Sequence, residues 1–394
     1  MKASVERQNG TARRERRDAD RGMAIPLGGP SIEAGDLRAV SSVLMTGSLV
    51  QGRVVEAFEA RLAEWLGARH VVAVSSGTAA LHLAFRALGA GPGDEVIVPA
   101  FIFPATANVV EWLGARPVFC DIAPDGFNAG PEEFARVLTQ RTRAVMPVHA
   151  FGTLADVPAI TRAIARTGRG QRPVTVVEDA ACALGSSLGG VSAGLLGDAG
   201  CLSFHPRKIL TTGEGGVILT RRRAVADRVR AMRSHGLVRT KGRFEPRETG
   251  LNYRMTDFQA TLGLSQVDRL QLMLATRARL ASRYRSALRL YSQVRVFPSP
   301  PDRIEACQAF VVMFRTVALR ERVQAALAAA GIETTFGTYC VPLMKYYRRR
   351  YDLEPRMFPN AWAAHRRTLA LPLHSGLSPG IQARVLDALR EVLS

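Results

Sequence analysis

The strongest constraint on this chain is a rhythm in its first 220 residues, where short apolar runs alternate with segments of helical periodicity. Val71–Val74 is followed by the helix-like Thr78–Leu88, and Glu95–Val98 by Ala105–Leu113 and the run Pro117–Cys120. Ala144–Val148 precedes Asp156–Arg166, Val174–Glu178 comes next, and Cys201–Phe204 and Val217–Thr220 flank a glycine-rich turn. A strand that is apolar at every position must be covered on both faces, and a helix of 8–12 residues is the connection that returns the chain to lay the next strand parallel. The rhythm predicts an α/β fold with a mostly parallel sheet covered by helices, and it places functional groups at the carboxyl ends of the strands. After about residue 255 the pattern changes to a long helix (Met255–Leu290), a strand (Ala309–Phe314), a helix (Arg320–Ala330) and a terminal helix (Pro379–Leu393). The expected organisation is a large domain over 23–264 and a smaller α+β C-terminal domain over 265–394.

Residues 1–22 precede this pattern with seven basic and four acidic side chains and few apolar ones, and they read as a disordered basic tail. Met23 stands directly before the first globular-looking residues, which raises translation from Met23 as a hypothesis that N-terminal sequencing would test. The tail has no apolar h-region, and no stretch approaches the roughly 20 apolar residues of a membrane span, so a cytoplasmic protein with no membrane partner is expected. The net charge of +19 lies mostly outside the tail, in Arg207–Glu248 and in Lys345–Arg367. That field favours anionic partners. No zinc spacing, recognition helix or aromatic-interleaved basic strand accompanies it, which points to a phosphorylated small substrate and not to nucleic acid. The five cysteines are widely spaced with no C-x-x-C pair, as in free thiols of a reducing compartment, and no metal site is expected.

Of 53 basic residues only Lys2, Lys208, Lys241 and Lys345 are lysines. An amine can lose its proton and attack a carbonyl, whereas a guanidinium stays protonated. Lys208 alone of the four lies between an apolar strand and a Gly-rich turn, Gly213-Glu214-Gly215-Gly216. Upstream, Ser75-Ser76-Gly77-Thr78 lies where a strand hands over to a helix. Small residues there admit an anion to the helix N-terminus, with Thr78 expected to cap the helix and also to donate its hydroxyl to a phosphate; an ordinary N-cap turn is the competing reading. Glu178-Asp179 ends another strand, and two carboxylates there are costly unless paired, whether with a metal or with a cationic heterocycle. An acid at one strand end, a lysine at another and a phosphate cradle suit pyridoxal 5'-phosphate (PLP), with Gly77, Thr78 and Ser203 as the cradle and Phe101 and Phe103 as candidate ring covers.

Taken in order, the segments Ser76–Leu81, Val98–Phe103, Val148–Gly152, Glu178–Ala181, Gly197–Gly200, Ser203–Lys208 with Gly213–Gly216, and Asn252–Met255 resemble the DegT/DnrJ/EryC1/StrS family of sugar aminotransferases from about Ile25 to the C-terminus. The resemblance implies the PLP-dependent transferase fold type I, with a large domain built on a mostly parallel seven-stranded sheet and a smaller α+β C-terminal domain. It also implies that Lys208 carries the cofactor's Schiff base and shuttles a proton, and that Asp179 keeps the pyridine nitrogen protonated. Gly77, Thr78 and Ser203 would hold the phosphate, Phe103 would stack on the ring, and Asn252 would reach the phosphate of a neighbouring subunit. That last role makes the protein a homodimer with shared active sites. The competing readings are a core aromatic for Phe103 and a helix cap for Asn252. His149 and His205 are left outside the catalytic set, and Glu214 either lines a sugar pocket or stabilises its turn.

The implied reaction moves an amino group from glutamate or glutamine to a keto sugar, in the first place a nucleotide-linked 4-keto or 3-keto deoxysugar. A keto-cyclitol acceptor is the alternative, and a non-catalytic regulatory relative is a third. Related dehydratases carry histidine in place of the lysine, so Lys208 argues for amine transfer. One departure stands out. Cys182 occupies the position where many members have glutamine near the cofactor's phenolic oxygen, and a thiol is a weaker donor there.

Overall fold

The computed structural model describes residues 24–168 and 173–394, so the expected tail over 1–22 and the alternative start at Met23 lie outside the described residues. The strands of the first half are β1 His70–Val74, β2 Glu95–Pro99, the two-residue β3 Phe101–Ile102, β4 Arg116–Cys120, β5 Thr142–Val145, β6 Thr175–Asp179, the short β7 Ser187–Leu188 and β8 Val191–Ser192, β9 Ala199–Ser203 and β10 Gly216–Thr220. Seven of them form one sheet in the order β1-β10-β9-β6-β5-β2-β4. The β9–β6, β6–β5, β5–β2 and β2–β4 pairs are parallel. Strand β10 pairs antiparallel with both β9 and β1. The connection from β9 to β10 has no crossover helix, and a chain that returns without one can only lie antiparallel.

Alternate residues of each strand face opposite layers, and both layers are apolar. Val72 and Val74 pack with Ala80, Leu83 and Phe85 of the helix Gly77–Ala87. Val71, Ala73, Val217 and Leu219 pack with Phe58 and Leu62 of the helix Arg53–Leu66 on the other face. Further along the sheet, Ile97, Val145 and Val176 meet Ile160 and Ile164 of the helix Val157–Thr167. Burial on both faces explains why these strands read as continuous apolar runs.

The expected helix Met255–Leu290 is two helices, Asp257–Val267 and Leu270–Leu288. Thr256 caps the first in a reciprocal box with Gln259. Between them Arg269 turns to the N-terminal segment, where its guanidinium meets Glu33 at 3.0 Å and Asp36 at 2.5 Å. A propensity reading sees good helix formers through this break; the break is set by a partner more than 200 residues away. Met273 of the second helix packs with the sheet's core, whereas Leu280, Tyr284 and Leu288 pack in a separate cluster.

That cluster belongs to the C-terminal part. After the exposed hairpin β11 Leu237–Thr240 and β12 Arg243–Pro246, the chain forms β13 Val294–Arg295, β14 Arg303–Ile304, β15 Phe310–Phe314, β16 Tyr339–Cys340 and β17 Thr368–Leu371. Strands β13, β15 and β17 make an antiparallel sheet whose Phe310, Phe314, Leu369 and Leu371 pack against the helices Val317–Ala329 and Pro379–Leu393. The short β16 pairs with β3 and so brings the C-terminal part beside the Phe101–Phe103 segment. Among the described residues no helix is long and apolar enough to cross a membrane.

Candidate active site

Pairing directions decide where the candidate residues meet. Strands β1, β2, β4, β5, β6 and β9 share one direction and β10 opposes them, so their carboxyl ends open on the edge where β10 begins. Gly77 and Thr78 follow β1, Phe103 follows β2 and β3, Asp179 ends β6, Ser203 ends β9, and Lys208 lies in the connection to β10.

Gly77 opens an 11-residue helix whose cap is Ser76, with Oγ accepting from the N–H of Ala79 at 3.1 Å. The expectation that Thr78 caps this helix is therefore corrected: Thr78 is exposed, one residue inside the helix, and its hydroxyl is not used in the cap. A Cβ on Gly77 would lie 2.8 Å from the Cβ of Ser203, and one on Gly216 would lie 2.7 Å from the backbone N of Gly77. Three chain segments thus close on one helix N-terminus with no room for side chains, leaving the backbone N–H groups and the positive end of the helix dipole to face an anion.

Asp179 is almost fully buried. Its Oδ2 accepts from Thr106 Oγ1 at 2.7 Å and its Oδ1 from the N–H of Ala181 at 3.2 Å. No basic side chain pairs with it among the described residues. Glu178, its neighbour, points to the other side of the strand. There it accepts from the N–H groups of Gly194, Leu196 and Gly197 at 2.7–2.8 Å and meets His149 Nε2 at 2.8 Å. The predicted cost of two carboxylates at one strand end is met by entirely different partners for each. Among the described residues no cluster suited to a metal ion occurs.

Lys208 extends its amine to Cys182 Sγ, 2.9 Å away, in the turn that follows Asp179. Gln308, from the C-terminal part, brackets the lysine. Its Oε1 accepts from the N–H of Ile209 at 3.1 Å and its Nε2 donates to the carbonyl of Arg207 at 2.6 Å. Neither Gln308 nor Thr106 carries any signal in sequence, because each acts on a residue at least 70 positions distant. Replacing Gln308 with Ala is expected to cost about 1–3 kcal/mol, the sum of two ordinary hydrogen bonds. Gln308→Glu keeps the acceptor but loses the donor and should fall between, as read by urea denaturation.

The Phe103 ring is largely exposed on this edge, 6.3 Å from the ring of Tyr339 in β16. It is not a core aromatic. Asn252 is exposed as well and bridges to Ser234. The helix cap it was weighed as belongs to Thr256. The carbonyl of its neighbour Tyr253 accepts from the N–H of Ser75 at 2.8 Å, yet among the described residues no hydrogen bond joins the Asn252 side chain to the other six candidates. His149 is fully buried in its pair with Glu178, and His205 is partly exposed, 4.0 Å from Glu214. Within the basic stretch Arg207–Glu248, Arg233 is buried and bonded to Glu59 and to the carbonyl of Ala73, so its charge does not contribute to a field for anionic partners.

The chain is 34% identical over 385 residues to the spore coat polysaccharide biosynthesis protein SpsC of Bacillus subtilis, covering 94% of this chain and 97% of that one. It is 36% identical over 350 residues to GDP-perosamine synthase of Caulobacter vibrioides, covering 87% and 91%. The PLP-form structure of Spr1654 from Streptococcus pneumoniae superposes with a TM-score of 0.89 at 26% identity, covering 94% of this chain and 100% of that one. The architecture is that of the PLP-dependent aminotransferases. A family model matches residues 30–390, and the chain belongs to the DegT/DnrJ/EryC1/StrS aminotransferase family.

Proposed function

We propose that this aminotransferase transfers an amino group from glutamate or glutamine to a nucleotide-linked 4-keto or 3-keto deoxysugar, as a homodimer whose sites are shared between subunits. The observation that carries the reading is the Lys208 amine lying against the turn after the buried Asp179, on the same sheet edge as the glycine-walled helix N-terminus. These residues fit PLP: the N-terminus of the Gly77–Ala87 helix, with Ser203 packed against Gly77, offers backbone N–H groups and a hydroxyl to a phosphate, and Asp179 is a buried acid with no basic partner among the described residues.

When bound, PLP carries the amino group and accepts the electron pair left at the carbon that loses its proton. The chain's residues do the rest. Lys208 would hold the cofactor through its amine and would serve as the acid–base group that moves a proton at the reacting carbon. Asp179 holds a proton on the ring nitrogen, and the Thr106 hydroxyl keeps the acid's Oδ2 oriented. Gly77, Thr78 and Ser203 hold the phosphate, Phe103 covers one ring face, and Asn252 extends to the phosphate site of the second subunit.

The name of one relative, GDP-perosamine synthase, supports a nucleotide-linked acceptor. The exposed Arg348 and Arg349 of the helix Lys345–Tyr351 are the proposed contacts to its diphosphate, while Arg350 is held by Glu111 at 3.2 Å. Replacing both with Gln should raise KM for the nucleotide-linked substrate about tenfold, the size of one lost charge-assisted hydrogen bond. An unchanged KM removes this helix from the substrate site. The overall reading is tested by offering the purified enzyme nucleotide-linked keto deoxysugars, free keto sugars and keto-cyclitols with each donor, and weighing the products. Amination of the free cyclitols alone would overturn it.

A further inference from the structure

We propose that Cys182 and Lys208 form a redox-sensitive covalent pair, a sulfur–nitrogen bond made under peroxide and undone by thiols. Lys208 Nζ stands 2.9 Å from Cys182 Sγ, and both residues are half-buried. Each backbone is fixed by its own partners. Cys182 lies in a turn closed by the Ala183 N–H on the carbonyl of Ala180 at 2.8 Å. Lys208 is held by its own N–H on the carbonyl of His205, at 2.8 Å, and by the Gln308 bracket. The approach of sulfur to nitrogen is therefore a product of two anchored segments.

The other four thiols are buried. Burial pushes those of Cys120, Cys201 and Cys307 above the usual thiol range and that of Cys340 up to about 12. Among the five, Cys182 is the one that combines access to solvent with an adjacent amine. Cys307 is a competitor whose backbone lies close by, since a Cβ on Gly152 would lie 3.1 Å from its N and 3.2 Å from the Cys182 carbonyl.

Two steps make the bond. The Cys182 sulfur attacks one oxygen of hydrogen peroxide, the O–O bond breaks, and the departing oxygen leaves as water with the thiol proton. The sulfur is oxidised by two electrons to a sulfenic acid, and the peroxide is reduced. The Lys208 amine then attacks that sulfur with its lone pair. The S–O bond breaks, and water leaves with one amine proton. A thiol reverses the bond by attacking sulfur and freeing the amine, and a second thiol restores Cys182. A lysine so held has no amine to offer PLP. That consequence rests on the role proposed for Lys208 above, whereas the bond itself does not.

The test treats the full chain with hydrogen peroxide, without added PLP, and maps its tryptic peptides by mass spectrometry. The expected result is a Cys182 peptide joined to a Lys208 peptide, lighter than their sum by two hydrogens, and separated again by dithiothreitol. Cys182→Ser should abolish it, and in Lys208→Arg the sulfur should proceed to sulfinic acid. Sulfinic acid at Cys182 of the unaltered chain, or a Cys182–Cys307 disulfide, in place of the joined peptide would overturn the proposal. PLP at about 100 times its Kd should lower the yield about 100-fold. A joined pair whose yield PLP leaves unchanged supports the bond and counts against the role of Lys208 in holding PLP.

Discussion

Lys208→Ala is expected to lower transamination by about 10²–10⁴-fold, the range that a positioned acid–base group contributes. On the roles proposed for Lys208, two functions would be lost together, the amine that binds PLP and the amine that moves the proton. The glycine-walled cradle and Asp179 are untouched by the change, so the variant should still take up PLP without a covalent link. The visible band of lysine-bound PLP, at roughly 400–430 nm, should then be missing while the protein stays folded. Lys208→Arg should be as inactive, because a guanidinium keeps its proton and its charge yet cannot act as an amine. Small primary amines in solution should restore part of the rate to Lys208→Ala and none to Asp179→Ala. Near-normal turnover in Lys208→Ala would end the assignment.

Glu178→Ala should be the most destabilising single change at this edge, costing about 3–5 kcal/mol, as when one partner of a buried polar pair is removed. The side chain is fully buried and joins four donors: the backbone N–H groups of Gly194, Leu196 and Gly197 and the ring of His149. Its removal takes the shared acceptor from all four, two of them, Gly194 N–H and His149, fully buried. Glu178→Gln keeps the shape and one acceptor oxygen but turns an amide against a backbone N–H, and should cost less, about 1–3 kcal/mol. Chemical denaturation of the three proteins gives the order directly. A loss below 1 kcal/mol for Glu178→Ala would show that the turn Gly194–Gly197 closes without it. Because the turn lies next to β9, activity should fall only as far as folded protein is lost.

The pair Glu178-Asp179 also shows how far sequence reasoning reaches. Strand alternation sends two adjacent carboxylates to opposite sides, and burial forces each to find partners. Which partners these are depends on chain folded from elsewhere: His149 and a glycine turn for one, Thr106 for the other. Gln308 is the stronger case. A single glutamine 100 residues beyond Lys208 carries no motif, and it reaches the lysine loop only because the C-terminal part folds back over it. The split of the expected Met255–Leu290 helix has the same origin, in an arginine drawn to Asp36. The cap of the Gly77 helix was a local choice between neighbours, and the structure gives it to Ser76.

The sequence by itself determined the alternation of strands and helices, and with it a mostly parallel sheet. It also placed Gly77, Asp179 and Ser203 at strand ends and Lys208 between an apolar strand and a Gly-rich turn. Those features follow from apolar periodicity and from residue chemistry, which are local. Only the tertiary structure decided that β10 lies antiparallel between β1 and β9, which sets Gly216 against Gly77 and closes the cradle. It alone brought the Lys208 amine to Cys182, and Gln308 and Thr106 to their partners. Contacts of this kind are fixed by which surfaces are buried together, and no property of either residue's neighbours in sequence encodes them.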